Sequence, residues 1–168
     1  MKRKKITATI DGISYKIDSY EHTTEFGNRN KDTVAEFLKD SYEGNIDENY
    51  NLSNGYSYIF VTMTYTNNTD EQVEILRNAG AFYIINDDLE RLQVGDPGGI
   101  YIDNYWTEGK ENERYHYVLG AGESVTSEVG YIIQDEGIPE DSKYIYYCIE
   151  GKDSKTNDTV KKYFKLEL

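Results

Sequence analysis

The sequence predicts a single-domain antiparallel β-sandwich spanning residues 1–168, and three observations carry that prediction. Between Tyr56 and Thr66, residues Ile59, Val61, Met63 and Tyr65 fall on one side of an extended chain, with Thr62, Thr64 and Thr66 on the other. That period of two belongs to a strand with one face on a core and one in water. The run from Val125 repeats it, with Val125, Val129, Tyr131 and Ile133 opposite Thr126, Glu128 and Gln134. Thirdly, Asp11-Gly12 stands between two alternating segments, a dipeptide that accepts the positive φ values of a tight hairpin.

Taken in chain order, the hairpin comes first. A two-residue loop sets Ile10 opposite Ile13, so Ile6, Ala8 and Ile10 share a face with Ile13, Tyr15 and Ile17. The β pattern then breaks. Thr33 and Glu36 are spaced as a capping box, Val34, Phe37, Leu38 and Tyr42 recur at helical intervals, and Gly44 offers a stop, which predicts a short helix over 33–43. Polar stretches at 20–32 and 44–55 flank it as an excursion between strands.

After the Tyr56 strand, further strands are expected at 73–76 and 81–85. A loop containing Gly95-Asp-Pro-Gly-Gly99 leads to a strand at 100–106, and an acidic turn follows at 108–113. Segments 115–119, 125–133, 143–150 and 160–168 complete roughly nine or ten strands, spaced as in a sandwich. No internal repeat or low-complexity linker divides the chain.

Composition bounds the function. A chain of 168 residues buries about two-thirds of its unfolded surface without staples, and its single cysteine, Cys148, cannot form an internal disulfide. The formal charge of −13 repels nucleic acid and anionic membrane surfaces and leaves cationic or neutral partners. Seventeen tyrosines supply β-forming bulk that a disordered chain lacks. No stretch is long and apolar enough to span a membrane. Residues Met1 to Lys5 resemble the basic start of a signal peptide, but the apolar region that should follow is replaced by Ile6-Thr-Ala-Thr-Ile10. Two readings compete: a cytoplasmic protein, or a chain from which an export signal or lipid anchor has been removed.

The strand ending in Tyr65-Thr-Asn-Asn-Thr-Asp-Glu71, the Gly122-Glu-Ser124 before Val125-Thr-Ser-Glu-Val-Gly-Tyr131, and the tyrosine-rich final strand pair resemble a known family. They are similar to the telokin-like immunoglobulin-fold domains of Gram-positive lipoproteins, a group that includes the mycobacterial immunoprotective extracellular protein and domain families of unknown function from gut Firmicutes. The match covers roughly residues 56–150. The resemblance implies an immunoglobulin-like sandwich and an extracellular or cell-surface location, which favours the second reading of the N-terminus. It implies no functional residues, and this chain lacks the lipid-anchoring cysteine near its start.

Catalytic chemistry finds little material. Only His22 and His116 exist to serve as bases, His22 in an expected loop and His116 between Tyr115 and Tyr117 on a strand, and no Gly-x-Ser-x-Gly elbow appears. Cys148, between Tyr147 and Ile149, reads as packing. Zinc lacks clustered ligands. Segments 45–49 and 153–158 offer oxygens to calcium but depart from the Asp-x-Asp-x-Asp-Gly pattern and read as solvated turns. Gly95–Gly99 lacks the Lys-Ser/Thr of a phosphate loop. With 31 acidic residues, some carboxylate pair will always stand at glycosidase spacing, so that signal decides nothing.

These readings predict a non-enzymatic binding module with no cofactor, monomeric, whose partner is a protein or a cell-envelope component. Carbohydrate is the alternative ligand. On the 100–106 strand Tyr101, Asp103 and Tyr105 share one face, opposite Ile100, Ile102 and Trp106, and with Tyr115 and Tyr117 they could stack on sugar rings and bond their hydroxyls.

Overall fold

The computed structural model describes residues 6–104 and 115–168. Among them are eleven strands: β1 (Ile6–Ile10), β2 (Ile13–Thr23), β3 (Tyr56–Asn67), β4 (Val73–Leu76), β5 (Gly80–Ile85), β6 (Arg91–Gln93), β7 (Tyr101–Ile102), β8 (His116–Leu119), β9 (Ser124–Gln134), β10 (Tyr144–Lys152) and β11 (Thr159–Glu167). All pair antiparallel. One sheet has the order β1-β2-β3-β9-β7, a second β11-β10-β5-β6, and β4 and β8 form a separate two-stranded ribbon. The expected fold class, an immunoglobulin-like antiparallel sandwich with a short helical insertion, is the one observed.

The register follows the sequence pattern. Ile10 pairs with Ile13, Ala8 with Tyr15 and Ile6 with Ile17, and β3 lies directly beside β9, with Val61 opposite Val129. Their odd-numbered side chains face the second sheet and form the main core with Phe82, Ile145, Tyr147, Ile149, Phe164 and Leu166. At its centre the Phe82 and Tyr131 rings meet edge to face at 5.3 Å, and the buried hydroxyls of Tyr131 and Tyr147 share a 2.7 Å hydrogen bond. That bond removes the cost of burying two phenolic oxygens.

The two turns prominent in the sequence meet at one buried side chain, Asn67, at the end of β3. Its amide nitrogen donates to the carbonyls of Glu71 (2.7 Å), Gly120 (3.0 Å) and Leu119 (3.3 Å), while its amide oxygen accepts from the backbone and hydroxyl of Thr69. Its own N–H donates to the Glu123 carbonyl and its carbonyl accepts from Gly122. One side chain thus ties the β3–β4 turn to the β8–β9 turn.

The outer face of the five-stranded sheet is not wholly wet. Tyr58 and Phe60, on the side of β3 opposite the main core, are buried in a second core with Phe26, Val34, Leu38, Leu52, Ile100, Tyr101 and Ile132. The excursion between β2 and β3 covers it. Phe26 is its keystone, within 6.0 Å of the Tyr50, Tyr58, Phe60 and Tyr101 rings. At the margin Arg29 lies over Phe60 at 3.4 Å and pairs with Glu128 and Glu21.

The helix expected over 33–43 shrinks to a 3-10 turn, Lys31–Thr33, and one α-helical turn, α1 (Leu38–Ser41). Thr33 is not the cap: Asn30 caps the 3-10 turn, and the Thr33 hydroxyl donates back to the Asn30 carbonyl. Val34 is extended (φ −78°, ψ 147°) because it bridges to Tyr101, and the Ala35 N–H donates to the Ile100 carbonyl. Pairing with a strand overrides the local helical signal, which is weak in so short a segment.

Candidate functional site

Tyr101 is not available to the expected sugar platform. Tyr101 is 3% exposed, its ring edge-on to Phe26 at 5.4 Å and to Phe60 at 5.8 Å, because the excursion folds over the face it was expected to present. Burial and the nearby Glu128 push its phenol up to about 12. Strand β7 ends at Ile102, and Asp103 follows it, exposed, with its N–H on the Glu128 carbonyl. Tyr105 and Trp106 lie outside the described residues. Tyr117 is half-buried on β8 with its ring 4.9 Å from the Arg77 guanidinium. Among the described members of the expected set, Tyr115 borders a cleft.

The other candidates take structural places. His22 lies on β2 opposite Ile59, not in a loop, since the β2–β3 ladder runs on to Thr23 past a bulge at Asp18. Its Nε2 is 2.7 Å from the Ser57 hydroxyl, which donates to Asp135. A hydrolytic triad sets the histidine between serine and carboxylate. Here a buried serine stands between the other two and spends its proton on the aspartate. Cys148 is buried, and burial pushes its thiol up, away from reactivity. Asp47 accepts from the N–H groups of Asn49 and Asn51, and Asp153 from those of Lys155 and Thr156, so both carboxylates are occupied in closing their own turns.

Among the described residues a cleft of about 890 Å³ forms. One wall is the excursion, with Ala35, Glu36, Phe37, Ser41 and Tyr42, and the opposite one the 96–100 loop. Tyr56 and Gln134, cross-strand partners, close one side, and Leu76 and His116, partners in the β4–β8 ribbon, close another with Tyr115. The loop is held open by backbone bonds, Gly98 N–H to the Gly80 carbonyl and Gly99 N–H to that of Asn78. Gly95, at φ 79°, lies so close to the backbone of Ile132 and Ile133 that no side chain fits there.

The cleft mixes aromatic and aliphatic side chains with polar ones. Phe37 is 57% and Leu76 46% exposed, and the Tyr42 and Tyr56 rings stand 5.3 Å apart at 85°, forming a corner. The Tyr42 hydroxyl reaches Asp96 at 3.4 Å, and burial together with that carboxylate pushes its phenol up to about 12. His116 Nδ1 is 2.7 Å from Glu74 at the rim. The cleft brings together residues remote in sequence. Apart from Tyr115, its residues escape the sequence because Phe37 and Tyr42 read as the buried face of a helix.

No family model matches the sequence, and no curated protein matches it either. Among solved structures, a functionally unknown protein from Listeria monocytogenes shares 11% identity at a TM-score of 0.58, over 97% of this chain and 82% of that one. A candidate lipoprotein of Bacillus subtilis (ycdA) shares 11% identity at a TM-score of 0.50, over 98% of this chain. The chain spans 39% of that protein's length. The likeness shows the fold alone. This is a β-sandwich whose structural neighbours are uncharacterised, one of them a candidate lipoprotein.

Proposed function

We propose that this chain is a non-enzymatic binding module that works outside the cytoplasm and takes its ligand in the cleft between the excursion and the 96–100 loop. The observation that carries the reading is the cleft itself, where the exposed Phe37 and the half-buried Tyr42 and Tyr56 stand on its lining. The location rests on the likeness to a candidate lipoprotein and on the resemblance to telokin-like domains of Gram-positive lipoproteins. The partner is a protein or another cell-envelope component. Carbohydrate binding is the second reading, favoured by one observation: Tyr115, from the expected sugar-stacking set, borders this cleft beside Tyr56.

Equilibrium binding of purified protein to cell-wall fractions, secreted proteins and soluble polysaccharides tests both. The expected result is saturable binding to one class that weakens roughly tenfold or more in Phe37→Ala and Tyr42→Ala, the loss typical of aromatic anchors at a binding hot spot. A ligand that binds both variants as it binds the parent would exclude the cleft.

A further inference from the structure

Of all the asparagines in this chain, Asn54 alone precedes a glycine. The pair makes the turn that brings the excursion back into β3, with Asn54 at φ 55° and Gly55 at φ 82°, both exposed. The Tyr56 N–H closes the turn on the Ser53 carbonyl at 3.2 Å. Asparagine and glycine accept this left-handed backbone with the least strain, which accounts for the pair as a requirement of the fold. The same pair also brings together the two groups of an intramolecular reaction.

An asparagine amide carbon lies beside the backbone nitrogen of the next residue, which can attack it. A side chain on that next residue hinders the approach, and glycine has none. Nothing lies within 4 Å of where a Cβ on Gly55 would stand, and among the described residues the Gly55 N–H donates to no acceptor. The Asn54 side chain, by contrast, is in use. Its amide nitrogen donates to the Gly44 carbonyl at 3.2 Å and to the Asn45 Oδ1 at 3.0 Å, beside the 2.9 Å bond from the Ser53 N–H to the Asn45 carbonyl. Asn45 in turn donates its N–H to the Tyr42 carbonyl, and the Gly55 carbonyl accepts from the Asp135 N–H at 2.8 Å. This turn therefore joins the two ends of segment 44–55 to each other and to the end of β9.

We propose that Asn54 is a site of spontaneous deamidation, and that the modification loosens this junction. The Gly55 nitrogen loses its proton and bonds to the Asn54 Cγ, the bond from Cγ to Nδ2 breaks, and Nδ2 leaves as ammonia with that proton. Water then opens the cyclic imide. Attack at Cγ gives aspartate, and attack at the main-chain carbonyl gives isoaspartate, in which the chain runs through Cβ and Cγ. Water is the one co-reactant. Either product sets a carboxylate where an amide donor stood, facing the Gly44 carbonyl and the Asn45 Oδ1, which are both acceptors. Isoaspartate also lengthens the backbone of a turn closed by the single Tyr56–Ser53 bond. Tyr42 and Tyr56, on either side of the junction, both line the cleft, so the change reaches its wall whatever the cleft binds.

The test holds the purified full chain in heavy-oxygen water, in mildly acidic and mildly alkaline buffer, and follows it by peptide mass spectrometry with Asn45, Asn49 and Asn51 as references in the same segment. The expected result is conversion at Asn54 ahead of all three by roughly tenfold or more, a barrier lower by about 1.4 kcal/mol. Conversion is faster in alkali, because the attacking nitrogen must shed its proton, and the product carries heavy oxygen from the water. The separated products exchange their amide hydrogens faster than the parent at 44–46 and 53–56. Asn54→Asp, which removes the donors without lengthening the backbone, shows part of that loss of protection. Asn54→Gln keeps an amide but closes the larger ring far more slowly, and conversion at this position stops. A chain that converts when unfolded in urea but not when folded, or references that convert as fast as Asn54, would overturn the site. Converted protein that exchanges as the parent does would overturn its effect on the junction.

Discussion

Replacing Asn67 by aspartate changes no volume and reverses one hydrogen-bonding group, so it isolates what that side chain contributes. Asn67 is fully buried, and its amide nitrogen donates to three carbonyls at 2.7, 3.0 and 3.3 Å. In Asn67→Asp an acceptor faces those acceptors. The Thr69 hydroxyl, 3.1 Å from the Glu71 carbonyl, has one proton and gives it to the residue 67 oxygen at 2.7 Å, so the three carbonyls and the new carboxylate are poorly satisfied. At about 1–3 kcal/mol for each buried group left without a partner, the expected loss at pH 7 is about 3–5 kcal/mol. Urea unfolding followed by circular dichroism reads it as a fall in midpoint of roughly 1.5–2.5 M, taking a slope of about 2 kcal/mol/M. The sign of the pH dependence is fixed as well. Burial among carbonyl dipoles raises the introduced carboxyl above its unfolded value. Its protonated form, which can donate, predominates below the unfolded pKa of about 4, and the deficit grows as pH rises through the raised folded value. The variant therefore lies closer to the parent at pH 4.5 than at pH 7. A loss under about 1 kcal/mol at pH 7, or a deficit that does not shrink in acid, would refute the account of Asn67 as a donor knot.

Three further outcomes are expected. Phe26→Ala removes the keystone of the second core, and by the usual cost of a buried phenylalanine it should lose about 3–5 kcal/mol; limited proteolysis should then cut within 24–55 before the sandwich opens, and unchanged protection there would count against two separable cores. Arg77→Leu deprives the Asn104 and Tyr115 carbonyls and the Ser127 hydroxyl of a buried donor, so urea unfolding should show a loss of about 2–4 kcal/mol, only partly restored in Arg77→Lys, whose single ammonium cannot span the same fork. Burial raises the phenols of Tyr58, Tyr65, Tyr131 and Tyr147, and their contribution to stability is complete below pH 10 and is lost above it, because the unfolded chain ionises first; absorbance titration should find Tyr42 and Tyr101 near 12, and a protein that stays equally stable from pH 9 to pH 11.5 would contradict this.

Elements set by local chemistry were legible in the sequence. Asp11-Gly12 dictates its own hairpin, and the alternation of β3 and β9 dictates which faces meet the main core. Strand β6 was missed because Arg91–Gln93, all exposed, carries no apolar alternation. The helix was overextended because the cause of its shortening, the Val34–Tyr101 bridge, joins residues remote in sequence. The same remoteness hid the cleft, whose lining comes from segments near 36–42, 56, 76, 96–100, 115 and 134. Tyr58 and Phe60 did announce the second core, since they stand among threonines on what reads as the wet face of β3. Only a covering layer explains two large rings there, and that layer was legible only as a polar excursion.

That layer leaves and rejoins the sheet at adjacent points, for Thr23 on β2 is the cross-strand partner of Tyr58 on β3. Geometrically it is a cassette, removable without changing the order of any strand. A transplanted segment has to supply an aromatic or aliphatic plug over Tyr58 and Phe60, an edge that bridges Tyr101 as Val34 does, and a partner for Glu128 in place of Arg29. A simple deletion would uncover those two rings and Tyr101 together, and the sandwich would hide them by self-association. The scaffold thus separates the part that must be kept from the part that can be exchanged, and the wall of the cleft carrying Phe37 and Tyr42 belongs to the exchangeable part.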